Sequence, residues 1–388
     1  MDKNMIQGGQ GRGGYIATEA WKPRGPAIEV SRTSSKSQAR AVSEALEDNL
    51  RAVGNFYRND KFSPVTEQEF IDRRSQVDPM GLVPESSVRG IDSSKANITG
   101  KTVEIGTYNM EWLGCDEKRM IGMDGKPTGA KPRTDEDYRS MAQVIRKSGA
   151  EVLGIQEISD EKALQSVIDH LNAPDRDGKK SNFQYILGQS GTRDDGSSQR
   201  IGFIYNADKL DLDRSSVHEI PTPRAQQIAN DSQGGRKMTL RQPLAASFKS
   251  KEGGFDFTLV CMHLKAGGKK TQHIRLAQAE EVGKWKQDRI AAGGDRDIIM
   301  VGDFNSELNS GTTRVFGEGG DTHFTTAETY ARKYYTHARS GRVIDHIAVS
   351  EGGALEEYIP GTTGTINDRN RSSDHRMVVG SFRDVDND

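Results

Sequence analysis

Beyond residue 101 the chain is written in short apolar runs. TVEIGTYNM, EVLGIQEI, RIGFIYN, FDFTLVCMHL, DIIMVGDFN, RVIDHIAVS and MVVGSF follow one another. Each is a short apolar run of strand length, so each predicts a β-strand. Between some of them the apolar spacing changes to three and four. That periodicity predicts helices over Asp135–Ser148, 161–171 and 271–291. Many strands with a few helices predict two packed sheets flanked by helices.

Residues 1–100 follow another pattern and predict a mostly helical or irregular N-terminal extension to a region spanning 101–388. The extension opens Gly-rich, with GGQGRGG, which reads as a flexible tail. From 35 to 57, Val42, Leu46, Leu50, Val53 and Tyr57 form an amphipathic stripe, and Ser34 or Ser35 can cap its start. Thr66 and Glu69 fit a capping box for a short helix over 66–73. Residues 78–100 read as a linker.

Composition narrows the class. The chain has 388 residues, 33% of them hydrophobic, and a formal net charge of -2, so nucleic-acid binding would need a local basic groove. Two cysteines, Cys115 and Cys261, are too few for a disulfide framework and read as small buried residues. The opening MDKNMIQGGQGRGGY contains no apolar core, which predicts the absence of a Sec signal peptide. No apolar run predicts a membrane span. The expected location is cytoplasmic, or outside the cell by a route without a Sec signal.

The strand ends hold the chemistry. In DIIMVGDFNSELNS an apolar run stops on Asp303 and Asn305. Alternation puts i and i+2 on one face, so the two side chains can share a site, although Gly, Asp and Asn also make ordinary turns. Other runs end alike: Asn109 and Glu111 in GTYNMEW, Glu157 in VLGIQEI, His263 in VCMHLK, Asp345 and His346 in VIDHI, Asp374 and His375 in SSDHRMVV. Unpaired buried carboxylates and imidazoles are costly, so a fold with many at strand ends should gather them into one polar site. Glu157, Asp303, Asp345, Asp374 and Asn109 offer hard oxygen donors, which suit Mg²⁺, Mn²⁺ or Ca²⁺ rather than zinc. A divalent ion beside histidines and carboxylates fits phosphodiester hydrolysis. Alternation turns His346 away from Asp345 and makes it structural. Trp112 reads as core, Glu307 as turn or surface, Arg241 as surface or supporting, and Lys265, Lys269 and Lys270 as a solvated or phosphate-facing loop.

In order, TYNMEW, GIQEI, QRIGFIYN, RQPLAASF, VCMHLKAGG, MVGDFNSE, RVIDHIAVS and SSDHRMVV resemble the endonuclease/exonuclease/phosphatase superfamily, whose type is deoxyribonuclease I. The resemblance covers about 101–385 and implies an α/β, four-layered sandwich with two central mixed sheets. It implies metal contacts for Glu157, Asn109, Glu111 and Asp374, with Asn109 also beside phosphate. It implies that Asp303 orients or deprotonates water, that Asn305 contacts phosphate, and that His375, polarised by Asp345, contacts the scissile phosphate. His263 resembles the second histidine of the deoxyribonuclease branch, and Arg200 its phosphate-positioning arginine. Gln199 departs from the pattern, since that branch has a glutamate there to pair with the histidine, and an amide cannot raise a histidine's basicity.

The leading expectation is a divalent-metal-dependent DNA endonuclease of low sequence specificity that reads the backbone. Hydrolysis of a lipid or small phosphoester, in the manner of a sphingomyelinase, is the alternative enzyme. A catalytically silent binding protein is the alternative of another class. Residues 1–100 read as a targeting segment, a dock for a protein partner, or a cover over the site.

Overall fold

The computed structural model describes residues 100–114 and 132–386, apart from 176, 192–198, 233–238, 309, 318–320, 328, 330–334, 367 and 369–371. The helices expected at 35–57 and 66–73 lie outside these residues, as does Cys115. The first half of the described chain runs β1 (Thr102–Leu113), α1 (Asp135–Ser148), β2 (Val152–Ile158), α2 (Glu161–Asn172), β3 (Phe183–Leu187), β4 (Arg200–Asn206) and β5 (Leu210–Glu219). It continues through α3 (Pro223–Asp231), β6 (Leu244–Ser250), β7 (Asp256–His263), α4 (Gln272–Ala291) and β8 (Ile298–Asp303). The last elements are α5 (Gly311–Gly317), β9 (Thr322–Phe324), β10 (Asp345–Ser350), β11 (Gly364–Thr365) and β12 (Val378–Arg383).

The strands form two six-stranded sheets, ordered β11-β12-β1-β2-β4-β3 and β5-β6-β7-β8-β10-β9. Both are mixed. Each holds one parallel pair at its centre, β1 with β2 and β7 with β8. A parallel pair needs a crossover, and α1 and α4 supply it. The expected helices 135–148, 161–171 and 271–291 are α1, α2 and α4 within a residue. Pro223–Asp231 and Gly311–Gly317 were not expected as helices. The first buries only Ala225 and Ala229, and the second is seven residues long, so neither shows an apolar stripe in sequence.

Alternation along each strand splits its apolar residues between two cores. Val103, Ile105 and Val152 of the first sheet pack against Leu259, Cys261, Ile299, Val301 and Ile347 of the second. The other faces are covered by helices. Leu153, Ile155 and Val379 meet Met141, Ile145, Leu164 and Ile168 of α1 and α2. Val260, Met262, Ile298 and Met300 meet Ala279 and Val282 of α4. These are the four layers. Among the described residues, no helix is long and apolar enough to cross a membrane.

The two sheets meet closely at Gly154, where an added Cβ would lie 2.5 Å from Val301 Cγ2 and 3.1 Å from Cys261 Sγ. Gly154→Ala should overpack this seam and destabilise the fold by about 1–3 kcal/mol. Thermal unfolding of the two proteins checks it; an unchanged midpoint would show that the sheets can spread apart at low cost.

Candidate active site

The inter-sheet faces turn polar toward one end. On β1, Val103 and Ile105 face the second sheet, and Thr107, Asn109 and Glu111 continue that alternation. On β7, Leu259 and Cys261 lead to His263; on β8, Ile299 and Val301 lead to Asp303; on β10, Val349 and Ile347 run back to Asp345. The ladder sets His263 beside Asp303 and Asp303 beside Asp345 in register. The run DIIMV therefore ends on a carboxylate because β8 leaves the apolar seam there. Gly302 makes the exit: its φ is 143°, and a Cβ would lie 1.9 Å from the Met262 carbonyl oxygen.

Glu157 breaks the alternation. Gln156 is the residue of β2 in step with Val152 and Gly154, and it bonds Thr107 and Cys261 in the seam. Glu157 should therefore point to the helices with Ile155. Instead the β2 ladder shifts register between Ile155 and Ile158, and Glu157 takes φ 63°, which swings its carboxylate into the site. Among the described residues, the non-glycine residues at positive φ are Glu111, Trp112, Glu157 and Asn305. All four line one cavity of about 260 Å³, together with His263, Asp303, His337, Arg342, Asp374 and His375. Strain of this kind, about 1–3 kcal/mol per residue, persists only where the surroundings enforce it, and here it is confined to the polar site.

The charges divide by their partners. Burial opposes a charge on His375, but Asp345, whose Oδ2 lies 2.8 Å from Nδ1, overrides it and pushes the imidazole up to about 10. Nε2 of this imidazolium faces Asp303 Oδ2 and Asp374 Oδ1, both at 3.9 Å. Burial, then the Asp345 charge, pushes Asp303 up to about 7. Burial also raises Glu157. His263 is held well below the ordinary histidine value by burial, then by Arg241 and His375. Burial would raise Asp374, but His337, His375 and Arg339 together hold it below the ordinary value.

Asn109, Glu111, Glu157, His263, Asp303, Asn305, Asp345, Asp374 and His375 thus come together as expected. Asn109 Nδ2 bonds Glu157 Oε1 and Asp303 Oδ2, both at 3.2 Å. His346 is structural, held by Thr326 and the Ser306 carbonyl on the helix-covered face. Arg200 is a correction. On β4 the seam residues are Ile201, Phe203 and Tyr205, so Arg200 points to the helix side and pairs with Glu161 Oε2 at 3.1 Å. It does not line the cavity. Glu111, expected among the metal ligands, lines the cavity with its oxygens taken by Arg133 Nη2 and Arg339 Nη2 at 2.9 and 2.8 Å. Trp112 is half-buried at the cavity rather than core, and Glu307 is partly buried against Arg342. Arg241 supports the site, bonding Gln199 Oε1 and the His263 carbonyl. His337, Arg339 and Arg133 were missed. They stand in polar stretches with no apolar pattern to place them.

Residues 106–375 match the Endonuclease/Exonuclease/phosphatase family. The chain belongs to the endonuclease/exonuclease/phosphatase family. Its members are phosphoesterases and nucleases that generally use divalent metals. Solved structures with the same fold include TDP2 of D. rerio, 13% identical with TM-score 0.52, covering 73% of this chain and 99% of that one. The human Nocturnin catalytic domain is 14% identical with TM-score 0.50, covering 73% and 95%. An endonuclease/exonuclease/phosphatase of Bacteroides vulgatus is 15% identical with TM-score 0.50, covering 73% and 99%. No curated protein matches the chain in sequence.

The donor set fits the divalent ion of this family. Among the described residues no lysine or arginine lies in ion-pair range of the Glu157 carboxylate; its one such neighbour is His263 Nε2 at 3.7 Å. A largely buried carboxylate of this kind calls for a cation, and its oxygens would hold a hard one; Asn109 turns its Nδ2 toward Glu157 while its Oδ1 accepts from the Glu111 amide. Asp303, Asp345 and His375 also bring ligand atoms within 4.8 Å of one another, as do His337, Asp374 and His375. Both groups include His375, whose Nδ1 is engaged by Asp345 Oδ2 at 2.8 Å.

Metal affinity should rise with pH. Glu157 and Asp303 are raised by burial, so they hold protons where an exposed carboxylate has none, and an ion must displace them. Mn²⁺ titrations between about pH 5.5 and about pH 8 should show tightening affinity with proton release that fades above the Asp303 value. An affinity independent of pH over this range would contradict the burial effect.

Proposed function

We propose that the protein is a divalent-metal-dependent phosphodiesterase acting on DNA, with little sequence preference, through contacts to the backbone. The observation that carries the hydrolytic reading is the charged His375, fixed by Asp345, standing opposite Asp303, with the Glu157 carboxylate, which has no lysine or arginine in ion-pair range among the described residues, in the same cavity. The bound ion would neutralise phosphate charge and stabilise the departing oxygen.

The side chains divide the remaining work. Asp303, raised to about 7, is poised to take a proton from the attacking water at neutral pH. His375 donates from Nε2 to a phosphate oxygen and gains strength as charge develops there. His263 is a neutral donor. Its buried Nδ1 has no acceptor among the described residues, so the ring proton belongs on Nε2, which faces Glu157 and Asp303. Gln199 does not reach that nitrogen; its Oε1 accepts from Arg241. With no carboxylate behind it, His263 positions phosphate rather than carrying a proton. Asn305 is fixed by its bond to the Leu264 carbonyl.

For DNA the support is local charge. Lys265, Lys269 and Lys270 follow His263 in the loop whose Ala266 lines the cavity, and the last two are exposed. A basic loop at the rim suits a polyanionic backbone despite the net charge of -2. TDP2 of D. rerio, with the same fold, has been solved with a single strand DNA product.

Plasmid nicking tests this. The full chain should nick supercoiled plasmid in Mg²⁺ or Mn²⁺ and stop in EDTA. Glu157→Ala and His375→Ala should each lower the rate by about 10²–10⁴-fold, while Arg200→Ala leaves it unchanged. Folded protein that cuts no DNA with any of these ions would exclude DNA; turnover of sphingomyelin or a small phosphoester instead would move the substrate class there.

A further inference from the structure

The fold treats the carboxylates of this site in two ways. Glu157 has no guanidinium or ammonium in ion-pair range among the described residues. Glu111 has two. Its Oε2 accepts from Arg133 Nη2 at 2.9 Å and its Oε1 from Arg339 Nη2 at 2.8 Å. The Nε of the same Arg339 lies 3.4 Å from Asp374 Oδ2, so one guanidinium spans Glu111 and Asp374. The Asp374 amide also donates to Glu111 Oε2 at 3.1 Å, which locks the two acids together. The Arg133 side chain is fully buried, whereas the Arg339 side chain is 52% exposed.

We infer that Arg339, backed by Arg133, stands where a second divalent cation would sit, so that the site takes one metal ion, at Glu157, and not two. The inference rests on the metal-dependent reading above and specifies it. Two carboxylates and two guanidiniums are already neutral together. A dication arriving at Glu111 and Asp374 would find no net attraction and would have to break charge-assisted hydrogen bonds to displace a group that cannot lose its charge. Glu157 offers the reverse: a buried negative charge with no fixed cation.

Counting bound ions tests this without substrate. Mn²⁺ is titrated into the full chain, and free ion is read by its electron paramagnetic resonance signal. The wild type should bind about one Mn²⁺ per chain with measurable affinity, and Glu157→Ala should abolish it. Arg339→Ala, at a half-exposed position that folding tolerates, should gain a second ion, so the count rises to about two. Adding Glu111→Ala to Arg339→Ala should remove the gained ion and leave the first. Arg339→Lys, which keeps the charge, should stay at one. A wild-type count of two, or an Arg339→Ala count that stays at one, overturns the inference. A wild type that binds no Mn²⁺ overturns both this and the metal-dependent reading. A count of one with no nicking of plasmid leaves the arginine inference standing and removes only DNA as the substrate.

Discussion

A carboxylate buried without a fixed cation is unstable alone, and the arrangement of this molecule follows from holding Glu157 in that condition. Strand alternation would have sent its side chain under the helices with Ile155. The irregularity in the β2 ladder and the left-handed φ of 63° bring it to the seam instead. The same expedient appears at Glu111, Trp112 and Asn305. Four strained residues at about 1–3 kcal/mol each would use a large share of a domain's net stability of about 5–15 kcal/mol. Such a site therefore needs a rigid frame. The inter-sheet core and the two helix-covered cores supply it, since close-packed interiors transmit strain rather than absorb it.

Burial acts in opposite directions on the groups gathered there, and their neighbours decide the outcome. Asp345 is fully buried and spends its charge on His375, so that ring stays positive. Asp303 has no such partner within hydrogen-bonding distance on that side and is raised by the Asp345 charge as well as by burial. A raised imidazole and a raised carboxyl thus arise from two aspartates on neighbouring strands, in register, separated only by which one the histidine contacts. His263 shows the third result: buried near Arg241 and His375, it stays neutral.

Much of this was legible in sequence where a regular period carried the information. The apolar runs located the strands and, at their ends, Asp303, Asp345 and His263, and the period of two turned His346 away from Asp345. The failures occur where that period was ignored or broken. Arg200 follows the alternation of RIGFIYN and so faces α2; the motif suggested a role that its parity denies. Glu157 violates the alternation of its strand, so its place at the end of an apolar run and the resemblance pointed to it while parity did not, since no single-strand pattern encodes a bulge. Arg133, His337 and Arg339 lie outside the strands. Their association with Glu111 and Asp374 spans 22 residues in one case and 228 in another, and is made by tertiary packing.

The topology explains why one end of the molecule collects these groups. Each sheet is built around a parallel pair closed by a crossover helix, so β1, β2, β7 and β8 all end in the same direction within their pairs. The carboxyl ends of β1 and β2 deliver Asn109, Glu111 and Glu157, and those of β7 and β8 deliver His263 and Asp303. The antiparallel β10 returns along β8 and contributes its first residue, Asp345, at the same level. The approach to β12 adds Asp374 and His375. The first sheet therefore brings Asn109, Glu111, Glu157, Asp374 and His375, and the second brings His263, Asp303 and Asp345. The site is assembled from both, so its geometry depends on the separation and register of the two sheets. That dependence is why a residue as small as Gly154, deep in the seam, belongs to the same argument as the side chains in the cavity.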